Sequence, residues 1–230
     1  DGTLYSQKDL RIRMLGALFL HTLVSGSLET IQILRAFRKI REELGPEERH
    51  NFEDSLLQRT SAATGASVET IQKIVHEWIE VRPLAFLNHC RYAELTEVFE
   101  GLRSRGIRIG IYSDYPALQK LKAMNLEADF VVSALDTNIQ MLKPNPKGLI
   151  FMMEQAGVSP SKTLMVGDRI DRDGEAARKA GTPCLIRSDR EIIGWNSFRD
   201  YAAPPFNELL TIEQGIRNCL LYTSPSPRDV

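Results

Sequence analysis

Apolar residues in the first third of the chain recur every three or four positions, which is the spacing of a helix face. Three stripes follow this spacing: Leu10, Met14, Leu18 and Thr22; Ile33, Phe37, Ile40 and Leu44; and Val68, Ile71, Val75 and Trp78. Gly45 is predicted to end the second helix, and Ser67 to cap the third. No strand pattern interrupts residues 6–82, so this segment is predicted to be an all-helical module.

The charged residues of this module are predicted to form solvated faces. They include Arg11, Arg13 and the cluster Arg35, Arg38, Lys39 and Arg41. The four histidines, His21, His50, His76 and His89, show no metal-ligand spacing. No role is predicted for them.

Beyond Pro83, short apolar runs typical of strands alternate with helical patterns. Strands are predicted at residues 107–112, 130–133, 163–166 and 183–186; helices are predicted at residues 95–102, from Pro116, at residues 146–155 and after Asp173. This alternation predicts an α/β fold with a Rossmann-like parallel sheet and helices on both faces. Ligands of such folds bind at the carboxyl ends of the strands.

One apolar run, residues 164–166, stops at Gly167 and opens into Asp168, Asp171 and Asp173. A buried strand that ends here presents its carboxylates at the ligand-binding edge of the sheet. Carboxylates on one tight loop suit a hard cation such as Mg²⁺. The other interpretation is an acidic turn that caps the following helix.

Composition excludes several classes of function. Of the 230 residues, 43% are hydrophobic and 26% are charged, as in an ordinary globular protein, and the formal net charge of -1 gives no reason to expect nucleic acid or an anionic membrane as partner. The longest apolar stretches are too short to cross a bilayer, and no signal peptide is recognised. Three cysteines without ligand spacing favour reduced thiols in a cytoplasmic protein.

Both ends of the chain are unusual. Asp1-Gly2-Thr3-Leu4 begins as a loop with no strand before it, so we expect that a first strand has been lost. Residues 221–230 change composition abruptly and resemble the product of sequencing-adapter DNA read in frame, so they are left out of the fold prediction. A native disordered Ser/Pro tail is the alternative.

Candidate chemical groups follow the predicted strands in order. Asp1 stands where a first strand would end, Ser113 ends the next, Lys143 follows the third, and Asp168 with Asp173 ends the fourth. An acid, a hydroxyl, an ammonium and a metal-binding acid pair at one place suit a phosphoryl group, since the cationic groups offset its charge. Taken singly, Ser113 would be read as a turn residue and Lys143 as a solvated charge.

This ordered set resembles the haloacid dehalogenase-like phosphohydrolase superfamily. The first motif of that superfamily, Asp-x-Asp-Gly-Thr, is followed by a hydroxyl, a Lys and a Gly-Asp-x-x-x-x-Asp loop. The helical module stands where a subfamily similar to phosphoglycolate phosphatases carries its first cap. The resemblance implies a core from residues 1–5 and 83–212, a helical cap at residues 6–82 and a tail at residues 213–230.

The resemblance also implies roles for single residues. Asp1 matches the general acid that protonates the leaving group and later activates water, and its backbone carbonyl would reach the metal. Thr3, Ser113 and the backbone around Asp114 would bind the phosphoryl group, and Lys143 would bridge that group and the nucleophile.

In the acidic loop, the resemblance makes Asp168 the direct Mg²⁺ ligand and Asp173 the second ligand, directly or through water. Asp171 lies inside the loop, where a solvated or capping role suits it better. Asp114 replaces the Asn of many relatives, and its carboxylate would repel phosphate unless it is turned away.

The main departure from the family concerns the nucleophile, the first Asp of the first motif, which would stand two residues before Asp1. We therefore expect Mg²⁺-dependent phosphomonoester hydrolysis through an aspartyl phosphate in the intact protein, and an inactive chain as given. A non-catalytic binding module and a phosphomutase remain alternatives. A receiver domain would need a mid-chain Asp at a strand end before Ser113, and this chain has none there. A dehalogenase of the same superfamily needs no Mg²⁺, so the acidic loop counts against it. The expected substrate is a small phosphorylated metabolite, and the sequence does not indicate an oligomeric state.

Overall fold

The computed structural model describes residues 2–47 and 51–210. A helical segment comes first and an α/β segment follows it. The helices are α1 (Gln7–Ser25), α2 (Glu29–Glu47), α3 (Phe52–Thr64), α4 (Val68–Val75), α5 (Leu84–Cys90), α6 (Leu95–Ser104), α7 (Leu118–Ala123), α8 (Lys147–Ala156), α9 (Glu175–Ala180) and α10 (Asn207–Leu210); the strands are β1 (Gly110–Ser113), β2 (Phe130–Ser133), β3 (Met165–Gly167), β4 (Cys184–Arg187) and β5 (Ser197–Phe198). Two π-helical turns, His76–Val81 and Ile170–Gly174, precede α5 and α9.

Serine side chains cap two helices of the helical segment, and the cap at Ser67 was predicted from the sequence. The Ser6 hydroxyl accepts a hydrogen bond from the backbone N–H of Asp9 at the start of α1, and the Ser67 hydroxyl accepts one from Thr70 at the start of α4. Gly45, predicted to end the second helix, lies inside α2 instead. That prediction is wrong because the missing side chain of Gly45 makes room for the Arg172 guanidinium against the helix.

The helical segment has its own apolar core, to which the second and third predicted stripes contribute together with residues of α3 that no stripe predicted. Its largest fully buried side chains are Ile33, Leu44, Phe52, Leu56, Ile71 and Trp78. Ala134 and Leu142, from the loop that follows β2, complete this cluster. The helical segment is therefore packed directly on the loop that leads to Lys143.

The strands are all parallel. β1 pairs with β2, bringing Ser113 opposite Ser133, and β3 pairs with β4, bringing Gly167 opposite Ile186; β5 extends the second sheet. Apolar residues from both sheets, among them Ile111 and Val166, pack into one cluster with α5, α6 and α7. An α/β Rossmann-like core with helices against a parallel sheet is thus confirmed.

Several boundaries differ from the predictions. β1 starts three residues later than expected because the preceding Ile107 is 44% exposed and the Ile109 N–H donates to the Asp129 carboxylate. The helix predicted from Pro116 begins at Leu118, and the short elements α5, β5 and α10 had no strong pattern in the sequence. No helix within the described part of the chain has the length and apolar character needed to span a membrane.

Candidate functional site

The carboxyl ends of β1 and β3 hold the predicted site residues of the α/β segment. β1 ends at Ser113 and continues into Asp114, and β3 ends at Gly167 and continues into Asp168. The loop carrying Lys143 is tied to the first of these ends, since the Lys143 N–H donates to Asp114 Oδ1 at 3.1 Å. The Asp114 carboxylate is thereby turned towards the loop backbone.

Lys143 and Asp173 form the central contact of this region. The Lys143 ammonium donates to Asp173 Oδ1 at 2.7 Å, and both side chains are more than nine-tenths buried. Burial alone would lower the pKa of Lys143, but the carboxylates of Asp173 and Asp114 raise it above its usual value. Burial alone would raise the pKa of Asp173, but the ammonium of Lys143 brings it below its usual value. Both groups are therefore charged at neutral pH.

Asp173 also fixes the backbone of the acidic loop. Its Oδ2 accepts hydrogen bonds from the backbone N–H groups of Asp168 at 3.1 Å and Arg169 at 3.0 Å. A Cβ on Gly167 would lie 2.3 Å from the Cβ of Asp173, so only glycine lets the carboxylate fold back on the strand end. Both carboxylate oxygens of Asp173 are thus occupied by the loop and by Lys143.

Asp168 faces the first residues of the chain. Its Oδ1 accepts a hydrogen bond from the Thr3 hydroxyl at 2.9 Å, and a Cβ on Gly2 would stand 2.1 Å from Oδ2. Gly2 has a φ of 98°, which favours glycine, so both its backbone and its missing side chain allow this approach. Burial raises the pKa of Asp168, and the nearby Asp173 carboxylate adds to the effect.

The donor chemistry around Asp168 fits a hard divalent cation. A buried carboxylate whose pKa is raised by a second carboxylate gains from a neighbouring positive charge, and both groups offer only oxygen. Within residues 2–47 and 51–210, no three His, Cys, Asp or Glu side chains form a metal-binding group. Asp1, the remaining predicted ligand and the predicted general acid, lies outside the described residues.

Ser113 is buried, and its Oγ accepts a hydrogen bond from the backbone N–H of Tyr115 at 3.2 Å. A hydroxyl carries one donor besides its acceptor lone pairs, so its proton stays available to a ligand. The ammonium of Lys143 also lies 3.5 Å from the carbonyl oxygen of Tyr112, the residue before Ser113. Ser113, Lys143 and Asp173 are therefore gathered around one strand end.

The side chain of Asp171 points to solvent, with 65% of its area exposed, and pairs with Arg169 at 2.6 Å. This placement agrees with the solvated role expected for it.

Residues that the sequence patterns did not single out connect the helical segment to this site. The Arg169 guanidinium forms two hydrogen bonds of 2.9 Å with the Glu42 carboxylate of α2. Arg172 donates to the carbonyl oxygens of Lys143 at 2.5 Å and Glu42 at 2.8 Å. No sequence pattern identified these residues. The contacts with Glu42 join positions more than a hundred residues apart, and the contact with Lys143 depends on the geometry of a loop.

Arg41 corrects one prediction. It was expected on a solvated face, but it is only 6% exposed. Its guanidinium donates to the backbone carbonyl of Asp114 and lies 3.9 Å from the centre of the Tyr115 ring, with Phe52 on another side. The aromatic faces and the carbonyl group compensate this buried charge.

A cavity of about 200 Å³ lies between the helical segment and the loop after β1. Its polar lining consists of Arg41, Glu53, Gln72, His76, Glu80 and Tyr115. Because Tyr115 is two residues from Ser113, the cavity adjoins the strand end that carries the candidate site.

Comparison with known proteins agrees with this geometry. A family model described as haloacid dehalogenase-like hydrolase matches residues 1–181. A phosphoglycolate phosphatase of Aquifex aeolicus is 29% identical over 164 residues, 67% of this chain and 76% of that protein. The structure of a 2-haloacid dehalogenase from Pseudomonas syringae superposes with a TM-score of 0.61 at 17% identity, covering 91% of this chain and 94% of that one.

A magnesium-bound HAD-hydrolase, YfnB of Bacillus subtilis, gives a TM-score of 0.64 at 16% identity over 91% of this chain and 95% of that one. At these identities the two structural matches establish the fold. The family model covers most of the chain, including the helical segment and the acidic loop. The chain therefore belongs to the haloacid dehalogenase-like hydrolases.

Proposed function

We propose that this protein hydrolyses small phosphomonoesters with Mg²⁺, through an aspartyl phosphate formed on an Asp two residues before Asp1. The observation that carries the proposal is the buried contact of 2.7 Å between Lys143 and Asp173 beside Ser113. The Lys143 ammonium stays charged although it is buried, and transfer of an anionic phosphoryl group requires such a positive charge. The phosphatase relative from Aquifex aeolicus supports the same reaction class.

The chain's own residues take the following parts. Lys143, held by Asp173, offsets the negative charge that an attacking carboxylate and a phosphoryl group bring together. Ser113 donates its free hydroxyl proton to a phosphoryl oxygen, and the backbone N–H groups around Asp114 assist it. The Thr3 hydroxyl spends its proton on Asp168 and so acts by holding that carboxylate. Asp1 protonates the leaving oxygen and then takes a proton from the attacking water.

Asp168 would hold the Mg²⁺ directly, because its carboxylate spends only one oxygen on Thr3. Asp173 would act on the ion through water or through the loop, since its own oxygens are occupied by Lys143 and two backbone N–H groups. The backbone carbonyl of Asp1 completes the proposed set. The ion would supply further positive charge for the phosphoryl group in its transition state.

Residues 6–82 act as a cap in this proposal, and the substrate's leaving group occupies the cavity under them. A volume of about 200 Å³ lies below the usual range for ligand pockets and therefore suits a small leaving group. The cap joins the core near residues 4–7 and near residues 82–84. The first of these connections is tied to the core by two hydrogen bonds: Ser6 N–H donates to the carbonyl of Cys90, and Tyr92 N–H donates to the carbonyl of Leu4. Opening of the cap would bend the chain at these connections.

The test compares the 230-residue chain with a version extended by its genomic upstream sequence. Phosphate release from a panel of phosphomonoesters is measured with Mg²⁺ and with a chelator. We expect turnover only in the extended chain and only with the metal. Lys143→Met should cause a large drop in kcat, whereas Lys162→Met on the surface should not.

Turnover by the unextended chain at a similar rate contradicts the proposed nucleophile. An extended chain without turnover favours a binding module that keeps the fold.

A further inference from the structure

Helix α1 is apolar on two faces. Met14, Ala17 and Leu18 pack inward against the core of the helical segment. The opposite face turns large apolar side chains to solvent, and these are Ile12, Leu15, Phe19, Leu20, Leu23 and Val24, with Leu28 just beyond the helix. Their exposure runs from 58% at Leu28 to 83% at Val24. A helix that is apolar on all sides is normally buried on all sides, so the exposed face of α1 is expected to be covered in the functional protein.

The size of this surface, here called the α1 face, matches an interface between proteins. Taking about 180 Å² for each side chain when fully exposed, the α1 face offers roughly 800 Å², which is close to what one partner contributes to an interface of standard size. Monomeric proteins rarely leave a contiguous apolar patch of this size open. By contrast, Ile193 is 99% exposed and lies far along the chain in a loop.

We propose that a second copy of this chain covers the α1 face, with the two α1 helices antiparallel about a two-fold axis. In this arrangement Ile12 meets Leu23 of the second copy, Leu15 meets Leu20, and Gly16 meets Phe19, each pairing occurring twice. A Cβ built on Gly16 has no atom within 4 Å. The resulting depression in the α1 face receives the Phe19 ring of the other copy, so the surface complements itself.

The charges of α1 select the antiparallel direction. Lys8, Asp9, Arg11 and Arg13 all lie in its first half, and residues 14–28 carry no charged side chain. An antiparallel pair places the mainly basic first half beside the last turn of the other helix, where unpaired carbonyl groups carry partial negative charge. A parallel pair would instead bring the two basic ends together. The net charge of -1 per chain adds little repulsion between copies.

Mass measured by light scattering across a dilution series tests the proposal. We expect the chain to have twice its mass of 26.0 kDa at the high end of the series. Phe19→Glu should give a folded monomer, confirmed by circular dichroism. Ile193→Glu, the same change at an isolated exposed site, should remain a dimer. A monomer at every concentration, or a dimer that Phe19→Glu leaves intact, overturns the proposal.

Disulfide trapping tests the register independently of any charge introduced into the helix. The double variant Ile12→Cys with Leu23→Cys should form a covalent dimer under mild oxidation, whereas neither single variant should. Crosslinking by Ile12→Cys alone would indicate a parallel pair and overturn the proposed arrangement. Binding of a monomeric chain to vesicles of anionic lipid, lost in Phe19→Glu, would assign the α1 face to a membrane surface instead.

Discussion

At the scale of single residues, the buried pair of Lys143 and Asp173 combines stability and function. Removing one partner leaves the other as an uncompensated buried charge, so we expect Asp173→Asn to lower the free energy of unfolding by about 3–5 kcal/mol. Asp171→Asn changes an exposed carboxylate of the same loop and should cost less than about 1 kcal/mol. Urea unfolding at pH 7 measures both.

The same pair gives a pH dependence. Because the folded-state pKa of Asp173 is lowered, its contribution to stability is present above the unfolded pKa near 4 and is lost as the pH falls through the folded value. In the variant Lys143→Met, the loss of stability that the ion pair causes below pH 4 should disappear. If the variant and the parent lose stability in parallel in that range, the ion pair is not its source.

Lys120 gives a second prediction, of opposite sign. It is 7% exposed, and burial, with the charge of Arg41 adding to it, lowers its pKa to about 8. The folded state then binds fewer protons than the unfolded state between pH 8 and 10.5, so stability rises across this window. The shift corresponds to about 3 kcal/mol, penalising the folded state below pH 8.

Lys120→Met should abolish this pH-dependent gain, which guanidinium unfolding at pH 7 and pH 9.5 would show. The exposed Lys122 two residues along provides the matched control, Lys122→Met, and should leave the slope unchanged. A rise in stability that persists in Lys120→Met would assign it to another group.

Residue identity and spacing singled out Ser113 and Asp168 as candidates because each ends or follows an apolar run, and the end of a run is visible in the sequence. Lys143 and Asp173 became candidates only through their place in the ordered set. The burial of Arg41 was invisible for a physical reason. A charged residue within a charged cluster has the pattern of a solvated face. Arg41 is buried instead because it packs on the ring of Tyr115, a residue far along the chain that no local pattern reveals.

At the scale of elements, α2 shows how one residue type serves two purposes. A glycine after an apolar stripe predicts a helix end, yet Gly45 lies within α2. A Cβ at this position would stand 1.3 Å from an Arg172 guanidinium nitrogen. Sequence patterns predicted α1, α2, α4 and the alternating strands and helices after Pro83 because these follow from local periodicity, whereas α3 and α5 were not singled out. Close approaches such as this one depend on elements far apart in the chain.

Gly45→Ala therefore tests the contact between α2 and the acidic loop. Inside a helix this change ordinarily stabilises by about 0.5–1 kcal/mol. Here we expect it to destabilise by about 1–3 kcal/mol, because Arg172 must leave the carbonyl groups of Lys143 and Glu42. In an Arg172→Ala background the sign should reverse. Thermal unfolding of the four proteins measures the coupling, and additive effects would show that the two residues do not compete for space.

At the scale of the whole molecule, the loop that presents Asp168 is held by the helical segment as well as by the sheet. Arg169 and Arg172 both bind Glu42, and the loop before Lys143 completes the apolar core of that segment. A ligand at the strand ends therefore contacts loops that are held by both the helical segment and the α/β segment. Its binding energy should appear in the unfolding of the whole chain.

Mg²⁺ titration tests this expectation without an activity assay. An ion that binds the folded state alone raises the free energy of unfolding by about 2.7 kcal/mol at a hundred times its Kd. For a chain of this length that raises Tm by roughly 5–10 °C. Asp168→Asn should abolish the rise, since it removes the carboxylate whose pKa is raised by burial and by Asp173. Asp171→Asn should keep it, because that side chain already lies in solvent beside Arg169. Equal shifts in both variants would place the ion elsewhere on the molecule.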